Sequence, residues 1–310
     1  MTLRKITPFF GRRLSLWLAA MLLAWTSQTL AGERIQPRII GGDHAEEAAW
    51  PAHVGLIDTG WASTYGGYFC GGTLIAPRWV ITAAHCVERR APWDIEVLSQ
   101  THSLLLGGER LRVIGVWLHP RYHPGTLAHD LALLKLADTF NGPPMRIGEA
   151  EFARPTDQTG RHATVIGWGV TSNQGSRPFR LQEAELRLID RGRCRQDFNN
   201  ADPAYPPITD RMLCAGYEVE YYQQRDSCRG DSGGPLMVHD GQAYVLVGVV
   251  SWGPERCATE GLYGVYTDLT QYTDWIAAHL EPEQVRAGYG SLSYGVVLAL
   301  ILLAVGRRRR

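Results

Sequence analysis

The chain has 310 residues, 45% of them hydrophobic and 20% charged, which is enough to bury a large core as one domain or two small ones. Its formal net charge of zero is an average: residues 39–281 hold 20 of the 31 Lys and Arg but 29 of the 31 Asp and Glu, a net of −9, and both ends are basic. An acidic body argues against nucleic-acid binding, which needs a basic surface, and six cysteines without a C-x-x-C pair argue against a zinc site.

The N-terminus reads as a signal peptide over residues 1–31. Arg4, Lys5, Arg12 and Arg13 precede an apolar run from Leu14 to Trp25, and Thr29-Leu30-Ala31 ends in a small residue suited to cleavage. The run is too short for a confident membrane span. Behind an export signal, an even number of cysteines reads as disulfides: Cys70, Cys86, Cys194, Cys214, Cys228 and Cys257. Sequence alone leaves about 15 pairings open.

From Ile39 to about Leu269 the pattern is short apolar runs broken by Gly, Pro, Asn and Asp. Gly72–Ile75, Trp79–Ile81, Leu111–Leu118, Ala163–Ile166 and Tyr244–Val250 are examples, several of them β-branched. None has helical spacing, so this stretch is expected to be all-β. Gln271–Leu280, with Trp275, Ile276 and Leu280 on one face, is the best helix, stopped at Pro282. At the far end, Val296–Val305 is apolar and four arginines, Arg307–Arg310, follow. That run is marginal for a span, which needs about 20 residues. Arginines on the cytoplasmic side would leave the rest of the chain outside.

The chemistry centres on Asp226-Ser227-Cys228-Arg229-Gly230-Asp231-Ser232-Gly233-Gly234-Pro235. Ser232 sits among glycines that permit tight turns with positive φ. A hydroxyl is a poor nucleophile near neutral pH and needs a base with a group to orient it. Thr82-Ala83-Ala84-His85-Cys86 offers an imidazole, and Asp130-Leu131-Ala132-Leu133-Leu134-Lys135-Leu136 offers a carboxylate heading an apolar run. Alone, His85 reads as a core histidine and Asp130 as a turn or cap residue; together with the Ser232 segment they read as a set.

His85, Asp130 and Ser232 stand in the order and local context of the trypsin/chymotrypsin-like serine proteases, which the chain resembles over roughly residues 39–281. Ile39-Ile40-Gly41-Gly42, Cys70-Gly71-Gly72-Thr73-Leu74-Ile75, Gly167-Trp168-Gly169 and Ser251-Trp252-Gly253 extend the resemblance. It implies two six-stranded antiparallel β-barrels joined near residues 150–160, with the active site in the cleft between them and a C-terminal helix. It implies the disulfides Cys70–Cys86, Cys194–Cys214 and Cys228–Cys257. His85 would be the general base, Asp130 its orienting carboxylate and Ser232 the nucleophile, a template drawn from this same family. The amides of Gly230 and Ser232 would form the oxyanion hole.

The resemblance also implies cleavage after Arg or Lys. Asp226, six residues before Ser232, would be the pocket floor, Ser227 its neighbour, and Gly253 and Gly264 its walls, with Tyr266 behind. Ser251 would support Asp130, Ser251–Gly253 would pair with the substrate backbone, and Leu127 and Trp252 would line further subsites. Arg229 would sit at the rim and favour acidic groups on the leaving side. Residues 32–38 would be an activation propeptide. A cut after Arg38, by a trypsin-like enzyme with this one among the candidates, would free Ile39 to pair with Asp231.

Two loops look enlarged against the family, Asp58–Tyr68 and the 195–213 stretch between Cys194 and Cys214; they are either specificity elements or tolerated insertions. Residues 282–290 would be a linker. Residues 291–310 would be a hydrophobic and basic membrane or sorting segment, resembling bacterial sorting tails that carry a glycine motif. No paired glycines stand there, only Gly288-Tyr289-Gly290-Ser291. No cofactor and no metal is expected. Expected partners are protein or peptide substrates, protein protease inhibitors and an activating protease, with a membrane contact through the tail. Two rivals stand beside this reading. A catalytically inactive homologue acting as a binding module would keep the fold. An α/β-hydrolase would use Gly230-x-Ser232-x-Gly234 with its acid and histidine downstream, where Asp268 or Asp274 and His279 stand, but the strand-rich pattern and the upstream partners argue against it.

Overall fold

In the computed structural model, which describes residues 41–155, 161–217 and 225–280, the apolar runs become strands that close on themselves. The first barrel consists of β2 (His53–Asp58), β3 (Tyr68–Ala76), β4 (Trp79–Thr82), β5 (Ile95–Ser99), β6 (Glu109–Leu118) and β7 (Ala132–Leu136). They close in the order β2-β3-β4-β7-β6-β5. The second contains β8 (His162–Gly167), β9 (Gln182–Ile189), β10 (Met212–Gly216), β11 (Pro235–His239), β12 (Tyr244–Trp252) and β13 (Gly264–Asp268). Pairing of β8 with β9 shuts this ring, and the short β1 (Asp43–His44) adds to β9 from outside. All pairings between these strands are antiparallel. Closure leaves no unpaired edge on the strands of either ring.

Each barrel is filled by its own inward side chains, such as Leu56, Leu74, Ile81 and Leu133 in the first and Val165, Leu186, Leu236 and Val247 in the second. The two fillings are not separate. Ile166, Met237, Leu246 and Val249 belong to strands of the second barrel yet pack in the same apolar cluster as the first. The barrels therefore meet on a hydrophobic seam, and the residues at its ends are fixed relative to each other.

Three disulfides join Cys70 to Cys86, Cys194 to Cys214 and Cys228 to Cys257, the pairing that the resemblance implies. One expectation is corrected. Helix α3, Arg191–Ala201, lies within the stretch expected to hold no helix and forms the first half of the enlarged 195–213 loop. Its sequence buries only Cys194 and Phe198, one turn apart, so its apolar stripe is too thin to read. Its start is nevertheless capped, with Asp190 accepting from the Arg193 amide at 3.0 Å. Two single-turn helices also form, α1 (Thr64–Gly67) inside the other enlarged loop and α2 (Ala84–Val87) around His85.

After a 3₁₀ turn over Leu269–Gln271, residues 273–280 are helical, so this helix starts later than expected. Ile276 is buried in the first barrel's cluster, with Trp275 and Leu280 packed beside it. The expected signal peptide, propeptide, linker and C-terminal segment lie outside the described residues. Among the described residues no helix is long and apolar enough to cross a membrane. Truncating Ile276 removes the central contact of the docked helix. Ile276→Ala in a Ser232→Ala background should cost about 3 kcal/mol of stability, the usual scale for a buried aliphatic truncation. Chemical denaturation of the two proteins measures it.

Candidate active site

Asp130 leads into β7 and is fully buried. Its Oδ1 accepts from the backbone amide of His85 at 2.9 Å, and its Oδ2 lies 2.7 Å from His85 Nδ1. Ser251 Oγ, on β12 of the second barrel, donates to the same Oδ2 at 2.5 Å. Thr267 Oγ1, on β13, donates to the Asp130 carbonyl at 2.8 Å. A carboxylate only accepts, so the proton of neutral His85 is drawn to Nδ1, leaving Nε2 with a lone pair.

The turn carrying Ser232 presses on the segment carrying His85. The Ser232 carbonyl accepts from the Gly71 amide at 2.8 Å, and neighbouring Cys70 is bonded to Cys86, next to His85. Gly233, at φ +80°, is packed so tightly that a Cβ there would lie 2.2 Å from Thr82 Oγ1 and 3.2 Å from the Ala83 nitrogen. Around this turn the amides of Gly230 and Ser232 donate to no group among the described residues, whereas those of Asp231, Gly233 and Gly234 all find acceptors. These two amides flank Asp231 with no acceptor among the described residues.

Between them, Asp231 points away from this face. Its carboxylate is buried and accepts from the amides of Gly169 at 2.8 Å and Cys228 at 2.9 Å. No cation among the described residues pairs with it. Burial pushes its pKa up to about 6, against the pull of those two amides. Gly169 must be glycine here, since a Cβ would meet the carboxylate at about 2.5 Å.

Among the described residues, Asp226 is the second buried carboxylate that meets no cation. Oδ2 accepts from the Ala258 amide at 2.9 Å, while Oδ1 has no partner. A Cβ on Gly264 would lie 2.9 Å from that Oδ1, so a side chain there would crowd the carboxylate, and Gly253 packs against Gly264, whose Cα would lie 3.7 Å from an added Cβ. Ser227 Oγ and Tyr266 Oη are 3.1 Å apart and close the back. Burial pushes the Asp226 pKa up to about 7.

Trp252 packs edge-on to Phe198 of α3, with Tyr205 beside both, so the enlarged 195–213 segment buttresses the end of β12 at Trp252. Leu127, at φ +51°, is partly buried on the loop before Asp130. Arg229 is exposed but held, donating to the carbonyls of Asn173 at 2.7 Å and Glu255 at 3.3 Å. Arg38 and Ile39 lie outside the described residues. The sequence reading missed Thr267, the Ala258 amide and Asn173, whose side-chain amide grips both backbone groups of Cys257. It also missed Tyr68, which donates to the Gly230 carbonyl. None stands in a recognisable motif. Cys70, His85 and Cys86 present possible ligand atoms close together, but both sulfurs are bonded to each other and provide no thiolate.

Residues 39–276 match the Trypsin family. A curated trypsin from Simulium vittatum is 38% identical over 252 residues, covering 80% of this chain and 96% of that protein. The chain belongs to the trypsin family. It is a serine endopeptidase, built on that family's paired barrels.

A cation binding at the unpartnered Oδ1 of Asp226 would do so with a pH dependence of defined direction. A carboxyl with a pKa of about 7 is mostly neutral below that pH, and a bound cation needs the anion. Benzamidine, a flat amidinium, should therefore bind the Ser232→Ala protein about tenfold more weakly for each pH unit below 7 and with constant affinity above it. Asp226→Asn should bind weakly with no slope. Calorimetric titration between pH 5 and 8.5 measures both.

Proposed function

We propose that this protease cleaves protein and peptide chains after Arg or Lys through an acyl-enzyme formed on Ser232. The observation that carries the specificity is the buried Asp226 carboxylate, with one oxygen unpartnered and Gly264, itself packed on Gly253, against it. An unpaired buried charge is costly, and a guanidinium or ammonium delivered by a substrate offsets that cost.

In this reading Ser232 Oγ attacks the scissile carbonyl while His85 Nε2 takes its proton. Asp130 holds the imidazole by its Nδ1 and stabilises the imidazolium. The carbonyl oxygen gains charge and is received by the amides of Gly230 and Ser232. His85 then passes the proton to the leaving amine, and water releases the acyl group by the reverse sequence. The substrate backbone pairs with Ser251–Gly253 as an added strand, and Leu127 and Trp252 line the next subsites.

The protein is made as a zymogen, with residues 1–31 as signal peptide and 32–38 as propeptide. A cut after Arg38 frees the Ile39 ammonium, and the partner it needs is a buried carboxylate; Asp231 is one that meets no cation among the described residues. The mature enzyme is secreted or held at the cell surface by residues 291–310. Protein inhibitors and an activating protease are its further partners.

Residues 32–281, cut after Arg38, should turn over peptide anilides ending in Arg or Lys and not those ending in Phe or Ala. Ser232→Ala and His85→Ala should each lose at least about a thousandfold in kcat, and Arg38→Gln treated with the same activating protease should stay silent. A preference for Phe would remove the role of Asp226. Silence of the cut chain, with Ile39 verified as its first residue, would leave an inactive homologue that binds without cleaving.

A further inference from the structure

The end of the enlarged 58–68 loop reaches the turn with the two unpaired amides. Tyr68 opens β3 and is 2% exposed, and its hydroxyl donates to the Gly230 carbonyl at 2.8 Å. Its ring is fixed on several sides. Trp168 meets it edge-to-face at 5.6 Å, and the Arg177 guanidinium lies 4.9 Å from the ring centre. Gly55 allows the approach, since a Cβ there would sit 3.1 Å from two ring carbons. Arg177 donates to the Tyr65 carbonyl at 2.8 Å and accepts on its own carbonyl from the Tyr65 hydroxyl at 3.0 Å. The loop is thus locked to residue 177, and both are locked to the ring that holds Gly230.

Gly230 stands at φ +101°, a conformation that other residues rarely adopt and from which a glycine turns at little cost. Its amide and its carbonyl belong to successive peptides. The first is held at the Arg229 carbonyl by the Val170 amide at 2.8 Å, and the second at the Gly230 carbonyl by Tyr68. The second peptide is also held at its Asp231 amide, which donates to the Cys228 carbonyl at 3.0 Å; Tyr68 fixes its carbonyl end and so the angle between the two peptides at Gly230. Burial, and then the nearby Asp231 carboxylate, push the Tyr68 hydroxyl's pKa up, so it remains a donor at every working pH.

We propose that Tyr68 is a positioning residue for catalysis, its hydrogen bond to the Gly230 carbonyl holding the Gly230 N–H aimed at the developing oxyanion. This rests on the oxyanion reading given under the proposed function. Tyr68 itself touches no substrate, so its loss should act on the rate and not on pocket binding.

Tyr68→Phe keeps the ring, its stacking and its packing, and removes only the hydroxyl. In the activated enzyme, kcat on an arginine anilide should fall about tenfold with KM near the unmutated value, short of the hundred- to thousandfold loss typical of deleting an oxyanion donor. The affinity of an arginine-ended peptide aldehyde, which forms a hemiacetal with a nucleophilic serine, should fall by the same factor as kcat/KM. Benzamidine affinity should not change. Unchanged kcat and aldehyde affinity would overturn the role of Tyr68. So would a parallel loss of benzamidine affinity, which would mean general loosening of the pocket. The oxyanion reading is tested separately on the unmutated enzyme: if the aldehyde binds no more tightly than the matching alcohol, there is no oxyanion site for Tyr68 to serve.

Discussion

The Asp130 carboxylate sits where water does not reach, and its donors come from both barrels. His85 contributes two from the first barrel, and Ser251 contributes one from the second. Thr267 adds a bond to the Asp130 carbonyl, also from the second. A buried charge stripped of one partner typically costs about 3–5 kcal/mol, so the barrels cannot part here without exposing or orphaning the carboxylate. Barrel docking and the orientation of His85 are therefore one structural event. The apolar seam supplies the attraction, and Asp130 selects the arrangement in which the imidazole is held by its Nδ1.

The Ser232 turn obeys a steric version of the same constraint. It needs close backbone approach to Gly71, Thr82 and Ala83, and only a residue without a Cβ can stand at Gly233. The Cys70–Cys86 bond ties the strand that meets this turn to the helical turn that carries His85. Ser232 and His85 thus come from different barrels but are located by shared contacts. Such preorganisation removes the entropy of assembling them at the moment of reaction.

Much of this was legible in the sequence because its signals are local. Short β-branched runs such as Trp79–Ile81 and Tyr244–Val250 mark their strands directly, and β4 and β12 contain them. The apolar face of Trp275, Ile276 and Leu280 gave the last helix for the same reason, although the 3₁₀ turn before it shifted its start. Helix α3 was hidden because a helix that buries two side chains carries almost no period. The disulfide pairing was open to the residues alone and came from the resemblance. Tyr68, Asn173 and Thr267 act through bonds to backbone groups 162, 84 and 137 residues away. No window along the chain contains both ends of such a contact, and a tyrosine that opens a strand looks like any other strand tyrosine.

Asp226 and Asp231 lack what Asp130 has, and the contrast is informative. Each accepts from backbone amides, yet neither meets a cation among the described residues, and burial raises both pKa values. They are also joined. Asp231 accepts from the Cys228 amide, Cys228 is bonded to Cys257, and the next residue, Ala258, donates to Asp226. Asp231 contributes to the upward shift of Asp226, so the two carboxylates oppose each other's ionisation. Linkage is reciprocal: a cation that neutralises Asp231 makes Asp226 easier to ionise, and a cation in the Asp226 pocket does the same for Asp231.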